Sequence, residues 1–315
     1  VRRTTTVDLL RPDGPLGVLA VECRGRDLVV APDGSHLVAG GASCSAAVDF
    51  LPRQALTGIR THPDRPQLQE LLGVTVGPGF RRRVGEVVPQ EVADQTLLHL
   101  LLDDLPGAVL VSGYSVQTAE PETARSMHEP AAFMAGRADL CAGFRTDGTM
   151  LVGLRRDGIL PVVTGPPAPD LDRDAPPDSW HPIPELEAHG VRRRRRLDIV
   201  EGDVLRANAM FRDTHRSAAG IETVIHEYTL DVELDPGELR VLAIQATPRV
   251  LPWVECPVAA RSAETLVGRT TGDLRSWVRT QLLGTSTCTH LNDLLRSLSD
   301  VDHLVSLMRS GLSGR

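Results

Sequence analysis

Lysine is absent: all 34 basic residues in the 315-residue chain are arginine. That excludes Schiff-base chemistry by a lysine of this chain, and it reads as the codon bias of a GC-rich genome of the actinobacterial kind. No uninterrupted apolar run approaches the length of a membrane span. The opening Val1-Arg2-Arg3-Thr4-Thr5-Thr6-Val7-Asp8 leads into no apolar core of the signal-peptide type. Cysteines number only five, odd and scattered, so a reducing, cytoplasmic setting is expected rather than a disulfide framework. The net charge of −7 gives a nucleic-acid partner no electrostatic support, and no membrane partner is expected. The chain has no Gly-x-Ser-x-Gly elbow, no Gly-x-Gly-x-x-Gly and no phosphate loop, which argues against a serine hydrolase and against nucleotide cofactors.

What is present is a pattern used twice. Leu71-Leu72-Gly73-Val74-Thr75-Val76-Gly77 is echoed by Leu266-Val267-Gly268-Arg269-Thr270-Thr271-Gly272. An Arg-bearing segment follows each, then Thr96-Leu97-Leu98-His99-Leu100 against Thr287-Cys288-Thr289-His290-Leu291, and Leu110-Val111-Ser112 against Leu304-Val305-Ser306. Echoes that keep their order and spacing argue for duplication. The expected organisation is a first, degenerate copy over 1–112, an irregular segment over 113–190 that wraps the two, and a second copy over 191–315. The copies differ where chemistry would sit: opposite Cys256 stands Thr61, and opposite Cys288 stands Leu97. Copy two is therefore expected to carry the site, with copy one a structural or substrate-binding partner. Hydrophobic residues at 41% suffice for two packed cores.

In copy two, Val204–Phe211 reads as a strand ending in a polar turn, Arg212-Asp213-Thr214-His215. Val224 to Leu234 alternates, with Val224, His226, Tyr228, Leu230, Val232 and Leu234 on one face and Glu227 on the other. Asp235-Pro236-Gly237 is a turn, Leu239–Ala246 a further strand, and helices follow over about 272–283 and 289–308. Strands first and helices after give an α+β fold class: a tandem duplication of an antiparallel-sheet domain with helices packed on one face. The run Arg192–Arg196 reads as a solvated strand edge or linker in preference to an anion site.

Cys288 and His290 then fall at a helix start, where exposed N–H groups stabilise a thiolate. Together with Cys256 after the sheet and His226 on the inward strand face, they make a two-sulfur, two-nitrogen set suited to zinc or iron. Asp213 and His215 are the candidate catalytic groups, as acid/base or as supports for the ligands. Trp253 and Trp277 are candidates for an apolar wall, with core packing as their plainer role.

Leu251-Pro252-Trp253-Val254-Glu255-Cys256-Pro257, His226-Glu227, and Gly284-Thr285-Ser286-Thr287-Cys288-Thr289-His290-Leu291 together resemble a bacterial domain-of-unknown-function family, number 2889. Asp139-Leu140-Cys141-Ala142-Gly143-Phe144 with Asp147-Gly148-Thr149-Met150 resembles a segment of its longer, two-copy actinobacterial members. Ser286-Thr287 departs from the family's Gly just before the closing Cys-Thr-His-Leu. The resemblance implies a Cys after the sheet and a His-Glu strand motif, but no reaction. A looser, fold-level likeness is to iron–sulfur scaffolds, which Cys141 would have to join to supply a third sulfur.

The function expected from these residues is a metal-dependent enzyme (hydrolase, lyase or oxygenase) acting on a small apolar or acyl-type substrate. The alternatives are a metal or iron–sulfur carrier without catalysis, and a structural or assembly protein. A metal-free variant of the enzyme would use Cys288 as a nucleophile activated by His290.

Overall fold

The computed structural model describes residues 1–31, 33–50, 53–119, 136–171 and 178–313. Eight strands form one antiparallel sheet in two meanders. The first comprises β1 (Arg2–Leu10), β2 (Leu19–Val30), β3 (His36–Asp49) and β4 (Ala55–His62); the second comprises β5 (Val191–Val200), β6 (Leu205–Arg216), β7 (Glu222–Leu234) and β8 (Val241–Val250). The spatial order is β4-β3-β2-β1-β5-β6-β7-β8, so the two meanders join through their first strands. Each meander is followed by a 3₁₀ helix, Pro66–Leu71 or Cys256–Leu266. After the first come α1 (Phe80–Val87), α2 (Pro89–Ala93) and α3 (Leu97–Ala119). Between the meanders lies α4 (Thr149–Asp157), and after the second come α5 (Thr271–Gln281), α6 (Thr289–Ser297) and α7 (Val301–Ser313). The α+β class is as the sequence pattern indicates.

Alternation explains the strands. In β7, Tyr228, Leu230, Val232 and Leu234 are buried while Asp231 and Glu233 are exposed, the pattern of a strand with one face on a core. Each half has its own apolar cluster, one built on Val7, Leu19 and Leu101, the other on Leu205, Tyr228 and Leu291.

The junction between the halves is ionic rather than apolar. The run Arg192–Arg196 is not a solvated edge: it forms β5, a central strand. Its odd members point at the helices, where Arg193 bonds Asp213 and Asp293, and Arg195 grips Asp104 of α3 with both contacts at 2.6 Å. Its even members face the segment that crosses the opposite side of the sheet, where Arg194 lies 4.1 Å from the Trp180 ring centre. His181, in the same segment, bridges the Thr4 and Thr6 hydroxyls at 2.9 Å each. Alternating arginines find partners on both faces because Asp104 of α3 and Asp293 of α6 lie on one and the segment with Trp180 and Pro184 on the other; nothing local in the sequence states that.

The contacts across β1 and β5 are reciprocal. Arg2 Nε meets Asp198 at 2.5 Å, and Arg192 Nε meets Asp8 at 2.6 Å, about a register centre at Thr5–Arg195. Arg3 clasps Asp27 with two bonds of 2.8 Å, and Arg193 clasps Asp213 at 2.7 and 2.9 Å. Gly73 and Gly268, both at positive φ where a side chain would be strained, close equivalent turns. The Gly73 amide donates to Leu56 and the Gly268 amide to Val241, at 2.7 and 2.8 Å.

Several local expectations differ from the structure. Arg212–His215 is strand rather than turn, because each side chain there is buried and finds a polar partner. The helix expected over 289–308 is divided by a 3₁₀ turn at Leu298–Asp300, where buried Asp300 receives Arg3 and Arg275. The 113–190 segment is not irregular throughout, since α3 extends into it and α4 forms within it; its residues 120–135 and 172–177 lie outside the described residues, including Pro176-Pro177. Among the described residues α3 has the length and composition to cross a membrane, with 78% of its apolar window buried within the fold. Asp103 and Asp104 interrupt that stretch, which hides it from a search for an unbroken apolar run.

Candidate functional site

The register of β6 against β7 sets Asp213 opposite His226, next to a bulge in the pairing. Bulges re-aim side chains, and here His226 turns its Nδ1 to Asp213 Oδ2 at 3.2 Å. Burial alone would raise the Asp213 pKa, but the Arg193 guanidinium and the His226 hydrogen bond outweigh it and hold the carboxyl well below its usual range. An ionised carboxylate can only accept, so Nδ1 carries the proton and Nε2 is left as the free donor atom, the support given to ligating or basic histidines.

His290, in the first turn of α6, stacks on His226 with ring centres 3.8 Å apart and planes 22° apart. Burial first, then the neighbouring His226, lowers its pKa to about 3, so it is neutral around pH 7. Donor atoms of Asp213, His226 and His290 all lie within 4.8 Å of one another. Both Asp213 oxygens are already held by Arg193, which makes the carboxylate better suited to positioning His226 than to ligation.

Cys288 caps α6 in an extended conformation, its Sγ 4.0 Å from His290 Nδ1. A thiolate and an imidazole on one tetrahedral zinc stand about 3.5 Å apart, from bonds of about 2.3 and 2.0 Å, so a shift of about half an ångström would bring the pair together. The His290 and Leu291 amides favour the thiolate, but burial dominates and pushes the thiol up to about 11. Without a cation Cys288 is therefore a thiol at neutral pH, which counts against the metal-free nucleophile. Burial likewise pushes Cys256, at the start of the 3₁₀ helix after β8, up to about 12. Cys256 and Cys288 are close enough to influence each other's ionisation. The Tyr228 hydroxyl contacts Cys288 and makes no well-aligned hydrogen bond.

The other expected residues fall elsewhere. His215 packs on the Tyr114 ring at 5.2 Å and faces the Thr118 hydroxyl at 3.4 Å, outside the His226–His290 cluster. Glu227 is held by Arg212 at 2.8 Å on the opposite strand face. Trp253 lines the cavity beside the site, whereas Trp277 lies under Arg269 at 3.9 Å. Arg193 escaped the sequence reading as a site member, and Cys141 entered it only as a third sulfur for a cluster. Arg193 was hidden in an arginine run, and Cys141 is brought over by the Ala142 amide, which donates to the Thr287 carbonyl at 2.8 Å.

The imidazoles open on a cavity of about 180 Å³ between the halves. Leu110 and Tyr114 of α3 form one wall; Phe144, Met150, Leu160 and Trp253 form the others. His226 and His290 are thus part of a polar patch in a mainly apolar space, the arrangement usual for small-molecule sites.

Residues 191–303 match the model of a family described as "Protein of unknown function (DUF2889)". The match spans the second meander and its helices, and with them His226, Cys256, Cys288 and His290. No curated protein and no solved structure matches the chain.

Proposed function

We propose that the chain is a metal-dependent enzyme acting on a small apolar or acyl-type substrate. His226, Cys256, Cys288 and His290, or three of them, hold zinc or iron. The chemistry of the donors supports it: two stacked imidazoles, one with its Nδ1 turned to Asp213, and the Cys288 thiol 4.0 Å from His290 Nδ1. Bound there, the ion supplies Lewis-acid polarisation of a carbonyl or a lowered pKa for its water. The chain's own residues do the rest. Asp213, kept ionised by Arg193, orients His226, and the apolar walls seat the substrate and exclude water. The observation that carries this reading is the stacked His226–His290 pair opening on a mainly apolar cavity.

Metal analysis tests it. Purified protein incubated with zinc or ferrous iron should retain about one ion per chain, and Cys288→Ser and His290→Ala should lose it while keeping their far-UV dichroism. Retention of metal by both variants, or none bound by the unaltered chain, overturns the reading.

A metal or iron–sulfur carrier is the second reading, since Cys141, Cys256 and Cys288 are all buried free thiols. Anaerobic reconstitution giving a coloured, labile cluster would select it. We also propose that the two meanders descend from a tandem duplication, on the strength of the reciprocal Arg2–Asp198 and Arg192–Asp8 pairs, and that the chain works in the reducing cytoplasm suited to its five free thiols.

A further inference from the structure

Aromatic residues are scarce in this chain, and several are gathered in one place. Five Phe, three Trp and two Tyr make up 3% of it, yet Phe50, Tyr114, Phe144 and Trp253 all line the cavity on which His226 and His290 open. They come from separate segments: just past β3, on α3, between the halves, and after β8. A core would bury such rings equally well anywhere, so their meeting around one space points to an occupant that they recognise.

Each ring is held where it stands. The Arg11 guanidinium lies over the Phe50 ring at 4.1 Å, and the Tyr114 hydroxyl donates to the Val163 carbonyl at 3.1 Å. Phe144 and Trp253 pack on one small apolar cluster of Met150, Leu151 and Leu154. A Cβ at Gly143 would stand 3.1 Å from Trp253 Cδ1, so the glycine lets the indole lie as it does. Walls set before a ligand arrives lose little freedom when it binds.

Volume limits the occupant. The cavity measures about 180 Å³, and an apolar protein cavity of about 150 Å³ takes up benzene. One six-membered ring with a small substituent therefore fits. Toward the imidazoles the lining turns polar, and no Asp or Glu is among its described residues, so a carboxylate there would meet no like charge from the lining.

We propose that the substrate class is a single-ring aromatic carboxylate or acyl compound of benzoate size. Its ring lies among Phe50, Tyr114, Phe144 and Trp253, and its carbonyl group points to His226 and His290. The inference rests on the metal reading for what meets the carbonyl, and on the aromatic lining alone for the ring.

Benzoate is the probe, titrated by calorimetry into the full chain with and without zinc. It should bind once per chain and at least about fivefold tighter than cyclohexanecarboxylate, which has the same carboxyl group on a saturated ring. Trp253→Leu should cut that preference to about twofold or less. Equal affinity for the two acids, or no benzoate bound, overturns the aromatic class, and zinc uptake by the same sample leaves the metal reading standing. A benzoate preference in a chain that takes up no zinc supports the aromatic class and overturns the metal reading alone. Should Trp253→Leu fail to fold, the preference of the unaltered chain decides.

Discussion

Arg193, Asp213 and His226 act as one unit, because each is buried and each fixes the next. Removing one member of a buried ion pair leaves its partner's charge uncompensated, which costs about 3–5 kcal/mol. Asp213→Asn should therefore lower the unfolding free energy in urea by about 3 kcal/mol, with the Arg193 contacts to Asp293 and Asp104 limiting the loss. It should also shift the His226 tautomer, visible in nitrogen NMR of the imidazole; a loss below about 1 kcal/mol with the tautomer intact would contradict this assignment. His99, the first-half counterpart of His290, carries a different prediction. Burial lowers its pKa to about 3 from 6.5, and its Nδ1 has no hydrogen-bond partner. Between those values the unfolded chain binds a proton that the folded chain refuses, so stability falls as pH drops through that window and is recovered above the unfolded pKa. His99→Leu should flatten the slope of stability against pH there by up to about 1.4 kcal/mol per pH unit. Urea titrations at pH 4, 5 and 7 would show it, and an unchanged slope would remove His99 from the account.

At the scale of elements, β1 and β5 offer a comparison built into the fold. Asp8 and Arg192 are buried at 4% and 7% side-chain exposure, while their counterparts Asp198 and Arg2 are at 19% and 25%. Exposed pairs are worth about 0–1 kcal/mol and broken buried ones cost several. Asp8→Asn should thus destabilise by about 3 kcal/mol and Asp198→Asn by less than about 1; equal losses in chemical denaturation would show that burial does not govern the difference. The strands of the second meander show what a sequence can and cannot convey. β7 was legible because its alternation of Tyr228, Leu230, Val232 with Asp231, Glu233 is a local consequence of facing one core. The position of His226 on the inward face, and of Cys288 and His290 at a helix start, followed from the same local rules. β5 and the end of β6 were not legible: an arginine run looks solvated until Asp104 and Asp293 arrive from α3 and α6, and an Arg-Asp-Thr-His tetrapeptide until Arg193 and Glu227 meet it from the neighbouring strands. Partners of buried charges are chosen by tertiary contact, so polarity alone misplaces them. The place of Cys141 was obscure for the same reason, set by the hydrogen bond of the neighbouring Ala142 amide to Thr287 far along the chain.

For the whole molecule, the halves repeat in strand order yet do not stand as separable bodies. Arg192 depends on Asp8, Arg195 on Asp104, and Arg3 on Asp300, so each half supplies charges that the other buries. A fragment of residues 191–315 would expose β5 as an edge, a template for association. It would also leave Arg192 and Arg195 without those carboxylates, at several kcal/mol for each buried charge left unpaired. Against a total stability of about 5–15 kcal/mol for an ordinary domain, that loss is decisive. The fragment should therefore be unfolded or aggregated, although it contains the whole family match and the four candidate ligands. Addition of a fragment of residues 1–190 should restore helical and strand dichroism and a one-to-one complex on size exclusion. The site should return with the fold, because α3 forms a wall of its cavity. A monomeric 191–315 fragment with a dispersed proton spectrum would show that the second meander is self-sufficient and that the ionic seam joins two independent units.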